Sequence, residues 1–260
     1  MPHLRYYSPN SDVHRKRKAK TMHREYHRWH SPRLNRDMEL LIFGHAGARV
    51  LVFPTSQGRF YEWQDRGMID ALGHHIDNGW IQIYCVDSVD AESWYCSWAH
   101  PGGRAYRHHQ YFEYLLNEVL PLSYHKNGNP FLMTVGASFG AYHAMAFGLK
   151  YPQLVNRIIG LSGVYDIRGW TDGYVDDYVY YNNPVQFIPN ENDGHRLWLL
   201  RQLDIIMAVG KGDRLWNRSK VMSSALWDKG IGNALREWDG WAHDWPYWMQ
   251  MMQIYINGHD

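Results

Sequence analysis

A serine between two glycines is the feature of this sequence that points most directly to chemistry. The stretch Thr134–Ala141 contains the order Gly136-Ala-Ser138-Phe-Gly140. Where a strand turns abruptly into a helix, a serine at this spacing lies on a strained turn with its hydroxyl exposed. The flanking glycines let the strand and the helix approach without Cβ clashes. The spacing therefore predicts that Ser138 is a nucleophile.

The segments on either side of Ser138 are those that such a turn requires. Phe131–Val135 is a short apolar run after Pro130, which is typical of a buried strand, and Ala141–Lys150 has the composition of a helix that ends before Pro152. A helix that starts just after the serine directs free backbone N–H groups at the attacked atom. We therefore expect the N–H of Phe139 to stabilise a developing oxyanion.

A serine hydroxyl is a weak nucleophile and needs a base, which in turn needs an acid to orient it. In hydrolases with this kind of serine turn, the acid and then the histidine follow in chain order, each after a later strand. Asp213 follows the apolar run Asp204–Val209 through Gly210-Lys-Gly212, and His243 follows Ala234–Trp238. These two residues are the predicted acid and base. Other carboxylates that remain open as the acid are Asp166, Asp172, Asp176, Asp177 and Asp239.

A second oxyanion donor is expected from the loop after the third predicted strand. That loop is Pro54–Gly58, and it follows the apolar run Arg49–Phe53. The backbone N–H of Ser56, or failing that of Gln57, is the candidate. The alternative is that this segment is only a turn.

The order of predicted elements indicates an α/β protein with a mostly parallel, doubly wound sheet. Two N-terminal strands, Glu25–His30 and Arg36–Phe43, are separated by a turn and are expected to pair antiparallel. After them, apolar runs alternate with helical segments, including predicted helices over 62–75 and 106–120. The sequence predicts that residues 1–21 form a basic, disordered tail and that residues 22–260 form one domain. A Tyr-, Asp- and Asn-rich stretch at 170–192 is a candidate lid or insertion.

Composition excludes several classes of function. The chain has 260 residues and a formal net charge of +1, so no global field favours nucleic acid or a membrane surface as a partner. It has no apolar run of about 18 residues and no N-terminal signal pattern, which predicts a cytoplasmic location. Cys85 and Cys96 are too few for a disulfide framework. The pairs His74-His75 and His108-His109 face different ways on predicted helices, so no metal site is expected.

The sequence is rich in amphipathic aromatic residues, with 13 Trp and 19 Tyr against 8 Phe. Packing with one satisfied polar tip explains most of such residues. The alternative is an aromatic-lined pocket, because several of these residues fall in predicted loops. On that basis Trp94, Trp98 and Tyr181 are predicted to contact the substrate.

With these parts in place, the chain resembles the α/β-hydrolase esterases of the group that contains S-formylglutathione hydrolase (esterase D), enterochelin esterase, feruloyl esterases and mycolyltransferases. The similarity runs from about Tyr26 to the end of the chain. The motifs that carry it are Gly136-Ala-Ser138-Phe-Gly-Ala-Tyr142, Tyr151-Pro-x-Leu154, Leu161-Ser-Gly-Val-Tyr-Asp166, Val209-Gly-x-Gly-Asp213, His243-Asp-Trp-Pro-Tyr-Trp248 and Glu118-Val-Leu-Pro121.

The resemblance implies an α/β-hydrolase fold and a triad of Ser138, Asp213 and His243 that acts on a small ester without a cofactor. The sequence departs from the group at Pro54-Thr55, where relatives carry a His-Gly pair, so the second oxyanion donor is not fixed by resemblance. It also lacks the export signal of the feruloyl esterases and mycolyltransferases. The expected activity is that of a serine carboxylesterase. An acyltransferase and a catalytically silent binding protein of the same fold are the alternatives.

Overall fold

A computed structural model describes residues 22–258, which form one eight-stranded sheet with helices on both faces. The strands are β1 (Arg24–Ser31), β2 (Arg36–Phe43), β3 (Ala48–Phe53), β4 (Ile81–Val86), β5 (Leu132–Ala137), β6 (Arg157–Leu161), β7 (Asp204–Gly210) and β8 (Ala234–Trp238). Their order across the sheet is β1-β2-β4-β3-β5-β6-β7-β8. The predicted tail at 1–21 lies outside the described residues.

The helices connect the parallel strands. They are α1 (Glu62–Asp65), α2 (Met68–Ala71), α3 (Gly73–Asp77), α4 (Pro101–Tyr114), α5 (Leu120–Lys126), α6 (Phe139–Lys150), α7 (Asp177–Tyr180), α8 (Pro184–Asn190), α9 (Gly194–Leu200), α10 (Trp216–Asp228) and α11 (Trp245–Tyr255). Short 3₁₀ helices cover Asp90–Glu92 and Arg168–Trp170, and a π-helical turn covers Leu115–Val119.

The sheet is antiparallel at its start and parallel elsewhere. β2 pairs antiparallel with both β1 and β4, whereas the pairings from β4 through β3, β5, β6 and β7 to β8 are all parallel. The fold class predicted from the sequence is thus confirmed. Because parallel strands end at the same edge, the loops after β3, β5, β7 and β8 emerge together.

The residues of the central parallel strands are almost all buried, since helices cover the sheet on both faces. Two separate apolar cores result. One includes Leu51, Phe147 and Ile158, and the other, on the opposite face, includes Val52, Val135 and Ile159. The alternation between Leu51 and Val52 shows the period of two that assigns neighbouring residues of a strand to opposite faces.

Two predicted helices differ from the structure. The helix expected over 62–75 is three short helices, because Gly67 adopts a left-handed conformation with φ of 82° between the first two. The helix expected over 106–120 begins earlier, at Pro101, and continues past Pro121 to Lys126 through the π-helical turn. Pro121 has no N–H to donate to the preceding turn. It is the second residue of α5 and lies two residues after the π-helical turn ends at Val119. The stretch 170–192, the candidate lid or insertion, contains α7 and α8.

Candidate active site

Ser138 lies on a sharp turn between β5 and α6 and has φ of 55° and ψ of −116°, which few residues other than glycine adopt. The turn brings strand and helix so close that a Cβ on Gly136 would lie 2.2 Å from the carbonyl carbon of Gly140. A Cβ on Gly140 would lie 2.5 Å from the carbonyl oxygen of Pro54. Glycine at both positions is therefore a steric requirement, as the sequence predicts.

Asp213 and His243 are in direct contact. Nδ1 of His243 lies 2.7 Å from Oδ2 of Asp213, and the two side chains are 14% and 0% exposed. The carboxylate also accepts a hydrogen bond at Oδ1 from the N–H of Leu215, at 2.9 Å. Since an ionised carboxylate can only accept, His243 donates from Nδ1 and keeps Nε2 as a hydrogen-bond acceptor.

Backbone contacts bring the loops that carry these residues to one place. Gly212 donates its N–H to the carbonyl of Gly240 at 2.7 Å, which holds the loop after β7 against the loop after β8. Ser138 donates its N–H to the carbonyl of Leu161 at 2.8 Å, and the next residue, Ser162, donates from its hydroxyl to the carbonyl of Ala242 at 3.2 Å. Ser138 is thus tied through the end of β6 to the residue that precedes His243.

Within the described residues, no hydrogen bond joins the Ser138 hydroxyl to the His243 ring. Such bonds are often long in hydrolases without substrate and tighten when the substrate binds. The His243 ring itself is held from two sides. Trp241 stacks on it with ring centroids 5.8 Å apart, and Trp248 meets it at 65° and 5.2 Å. These two contacts, together with the hydrogen bond to Asp213, hold the imidazole ring in one orientation.

The loop after β3 leaves one backbone donor unused. The N–H of Thr55 donates to Oε2 of Glu62 at 2.8 Å, and the N–H of Gln57 donates to Oδ2 of Asp90 at 2.9 Å. Between them, the N–H of Ser56 has no hydrogen-bond partner among residues 22–258. Of the two candidate donors from the sequence, Ser56 therefore has an N–H free to bind a ligand, whereas the N–H of Gln57 is already bound to Asp90.

Backbone strain concentrates at this edge of the sheet. Gln57, Ser138, Ser162 and Ala242 all have positive φ, between 44° and 55°, although none is a glycine. Each lies in a loop that follows a parallel strand at the carboxyl edge. Positive φ at such residues costs free energy and persists where the surrounding structure imposes it, which is typical of functional sites.

The three aromatic residues predicted to bind substrate are placed apart from one another. Trp94 is 1% exposed and packs in the core against His108 and Tyr142, so it presents no surface to a ligand. Trp98 is 89% exposed. Tyr181 lines a cavity of about 420 Å³ together with Lys150, the last residue of α6. Because α6 has 12 residues, that cavity lies about 18 Å along the helix from Ser138.

Other aromatic residues stand closer to the serine turn. Tyr95 donates its hydroxyl to Oγ of Ser56 at 2.9 Å, and its ring meets those of Phe139 and Trp170 at 5.2 and 5.7 Å. Burial raises the pKa of Tyr95 above its usual value, so the phenol remains a donor at neutral pH. The sequence selects Trp94 and Trp98 on either side of Tyr95, but it does not show which aromatic residue of this segment reaches the Ser56 loop.

Two sequence expectations concern absences. In the part of the chain that the structure describes, no group of three or more His, Cys, Asp or Glu side chains is arranged to hold a metal ion. No helix between residues 22 and 258 is long and apolar enough to cross a membrane.

Comparisons with known proteins agree with this architecture. A ferulic acid esterase superposes with a TM-score of 0.71 at 18% identity, over 89% of this chain and 95% of that one. S-formylglutathione hydrolases from Agrobacterium tumefaciens and Staphylococcus aureus superpose with TM-scores of 0.68 and 0.64 at 14% and 15% identity, over 89% of this chain and 91% and 94% of theirs. At these identities the similarity shows the shared fold. No match was found among curated protein sequences.

A model of the esterase family, described as "Putative esterase", matches residues 31–255. The match covers the serine turn, both loops that carry Asp213 and His243, and all strands except most of β1. The recognition of this group from sequence motifs is confirmed. The chain therefore belongs to this esterase family and is an ester-hydrolysing enzyme with the α/β-hydrolase fold.

Proposed function

We propose that this protein is a serine carboxylesterase in which Ser138, His243 and Asp213 form the catalytic triad. The observation that carries the proposal is the 2.7 Å contact between His243 Nδ1 and a fully buried Asp213 carboxylate, at the same sheet edge as the strained turn of Ser138. A histidine held in this tautomer presents Nε2 as a base. A serine on this turn is what such a base would activate.

Each group has a defined role in the proposed reaction. Nε2 of His243 takes the proton of the Ser138 hydroxyl while Oγ attacks the ester carbonyl carbon, and Asp213 stabilises the imidazolium that forms. The N–H groups of Phe139 and Ser56 bind the oxyanion of the tetrahedral intermediate. His243 then gives its proton to the leaving alcohol, which leaves an acyl group on Ser138. A water molecule, deprotonated by His243, hydrolyses this acyl-enzyme.

The helix that follows Ser138 supports the oxyanion role of Phe139. Phe139 is the first residue of α6, so its N–H has no acceptor one turn earlier in the helix. The positive end of the helix dipole also favours negative charge at this position. The loop carrying Ser56 lies against the same helix end, because the carbonyl of Pro54 approaches Gly140 closely.

The direct test is a comparison of wild-type protein with Ser138→Ala. We expect the variant to lose hydrolysis of short-chain nitrophenyl esters by several orders of magnitude and to lose labelling by a fluorophosphonate, because both need the serine oxygen. If the variant hydrolyses these esters at the wild-type rate and still takes the label, Ser138 is not the nucleophile. Adding glycerol to the wild-type reaction and measuring glyceryl esters separates hydrolysis from acyl transfer, because an alcohol can compete with water for the acyl-enzyme.

A further inference from the structure

A buried carboxylate lies directly beneath the loop that carries Ser56. Asp90, 1% exposed, begins the 3₁₀ helix that follows β4. Its Oδ2 accepts the backbone N–H of Gln57 at 2.9 Å, and its Oδ1 lies 2.8 Å from Nε2 of His143. His143 is 0% exposed and belongs to α6, the helix that begins immediately after Ser138. One carboxylate thus joins the loop after β3 to the nucleophile helix.

The surroundings of His143 fix which partner donates. Its Nδ1 is buried and has no hydrogen-bond partner in the described part of the chain, and its ring stacks between Phe53 and His108 at 5.7 and 5.2 Å. Protonating Nδ1 would bury an unsatisfied N–H, which is costly. His143 therefore donates from Nε2, and Asp90 accepts two hydrogen bonds.

The other end of the loop is held in the same way. Glu62 accepts the N–H of Thr55 at 2.8 Å and the hydroxyl of Thr55 at 2.6 Å. With Thr55 and Gln57 each bound to a carboxylate, the peptide between them is fixed at both sides. Gln57 also has φ of 55°, a conformation that needs support from its surroundings. The N–H of Ser56 is the one that this arrangement leaves available.

We propose that Asp90, held by His143, is a positioning residue that fixes the N–H of Ser56 relative to Ser138 and so completes the oxyanion site. This inference rests on the proposed function, because it assigns a use to Ser56 in that mechanism. His143 suits the role since it lies on the helix that supplies the first oxyanion donor, Phe139. Movement of the loop relative to that helix would then require the buried Asp90–His143 contact to break.

The test uses Asp90→Ala, which removes both acceptors, and a paired amide variant, Asp90→Asn with His143→Gln. In the paired amide variant the asparagine oxygen accepts the N–H of Gln57, and the asparagine NH₂ donates to the glutamine oxygen. The double variant Asp90→Ala with His143→Phe removes the imidazole together with its acceptor, so no buried imidazole N–H is left unpaired, and it reports even if Asp90→Ala fails to fold. Tyr84→Phe is the matched control. It removes a buried hydrogen bond from the Tyr84 hydroxyl to Oε1 of Gln82 at 2.8 Å, on the strand that leads to Asp90.

Rates are measured per active site, counted by fluorophosphonate labelling, so that unfolded protein does not enter the comparison. For the Asp90→Ala and double variants we expect kcat to fall on the order of 10- to 100-fold with little change in KM, because a misplaced oxyanion donor loses transition-state binding alone. The inhibition constant of a trifluoromethyl ketone, which forms an oxyanion on Ser138, should rise by the same factor. The paired amide variant should recover most of kcat.

Two results would overturn the proposal. One is a kcat per labelled site in Asp90→Ala or the double variant that equals that of Tyr84→Phe, with an unchanged ketone inhibition constant. The other is a paired amide variant as slow as Asp90→Ala. Failure of the proposed function itself gives a different result, since Ser138→Ala would then still take the label in parallel experiments.

Discussion

Replacing Asp213 by asparagine tests the proposed triad with the smallest change in shape. Oδ1 of Asp213 accepts the N–H of Leu215 at 2.9 Å, so the amide oxygen of an asparagine is retained on that side. Its NH₂ group then occupies the position of Oδ2, 2.7 Å from Nδ1 of His243. A donor now faces Nδ1, so the imidazole must carry its proton on Nε2 instead.

The wrong tautomer removes the base without removing the histidine. With Nε2 protonated, His243 has no lone pair to accept the proton of Ser138. In serine hydrolases this change lowers kcat by about 10⁴-fold, which corresponds to about 5.5 kcal/mol of transition-state stabilisation. We expect a loss of this order for Asp213→Asn, whereas KM should change little because the substrate does not contact the acid.

The assay is steady-state hydrolysis of 4-nitrophenyl acetate at pH 7.5, with Asp239→Asn as the matched control. Asp239 lies four residues before His243 and was an alternative acid, but its side chain is 97% exposed and pairs with Lys211 at 3.1 Å. The control should keep wild-type kcat within about twofold, as expected of a surface substitution. A loss of less than about tenfold in Asp213→Asn, or an equal loss in Asp239→Asn, would refute the assignment of the acid.

Three further predictions concern stability and specificity. Gly136→Ala should lower the free energy of unfolding, measured by urea denaturation, by about 3 kcal/mol or more, because its Cβ would overlap the backbone of Gly140. The control Gly169→Ala has open space around it and should change this free energy by about 0.5 kcal/mol at most. Equal effects of the two substitutions would contradict the steric argument. Burial lowers the pKa of Lys150 from 10.5 to about 8, so the unfolded chain binds more protons between these values and stability should rise with pH across this window, but less so in Lys150→Met. If the free energy of unfolding changes between pH 8 and 10.5 by the same amount in the wild-type protein and in Lys150→Met, this reasoning is excluded. Tyr181→Ala should keep kcat/KM for nitrophenyl esters within about twofold, and a large loss would mean that the far end of α6 contributes to the substrate site.

The sequence predicts the elements that position the site because local patterns determine them. Asp204–Val209 and Arg157–Ser162 are short apolar runs typical of strands buried on both faces, and the structure forms strands there. The glycines on either side of Ser138 predict a close approach of strand and helix, and the structure confirms that a Cβ at either position would overlap backbone atoms. Chain order then restricts the acid and the histidine to loops that emerge at one edge of the sheet.

Contacts between distant segments escape this kind of reasoning. Trp94, Tyr95 and Trp98 lie within five residues of one another, yet the first is buried in the core, the second reaches Ser56, and the third is exposed. Their composition and spacing are alike, and only the path of the loop separates them. The break at Gly67 is similar, since a glycine in an otherwise helical pattern is tolerated in some helices and ends others.

The contacts that hold the Pro54–Gly58 loop also could not be predicted from the sequence. Asp90 and Gln57 are 33 residues apart, and Asp90 and His143 are 53 residues apart, so no periodicity or spacing links them. Burial is what identifies them: Asp90 and His143 are both buried, and a buried carboxylate needs hydrogen-bond donors from the protein in place of water. Relatives with a His-Gly pair at the position of Pro54-Thr55 have a different loop sequence here. In this chain, hydrogen bonds to the carboxylates of Glu62 and Asp90 hold the residues on either side of Ser56, as the proposed positioning role requires.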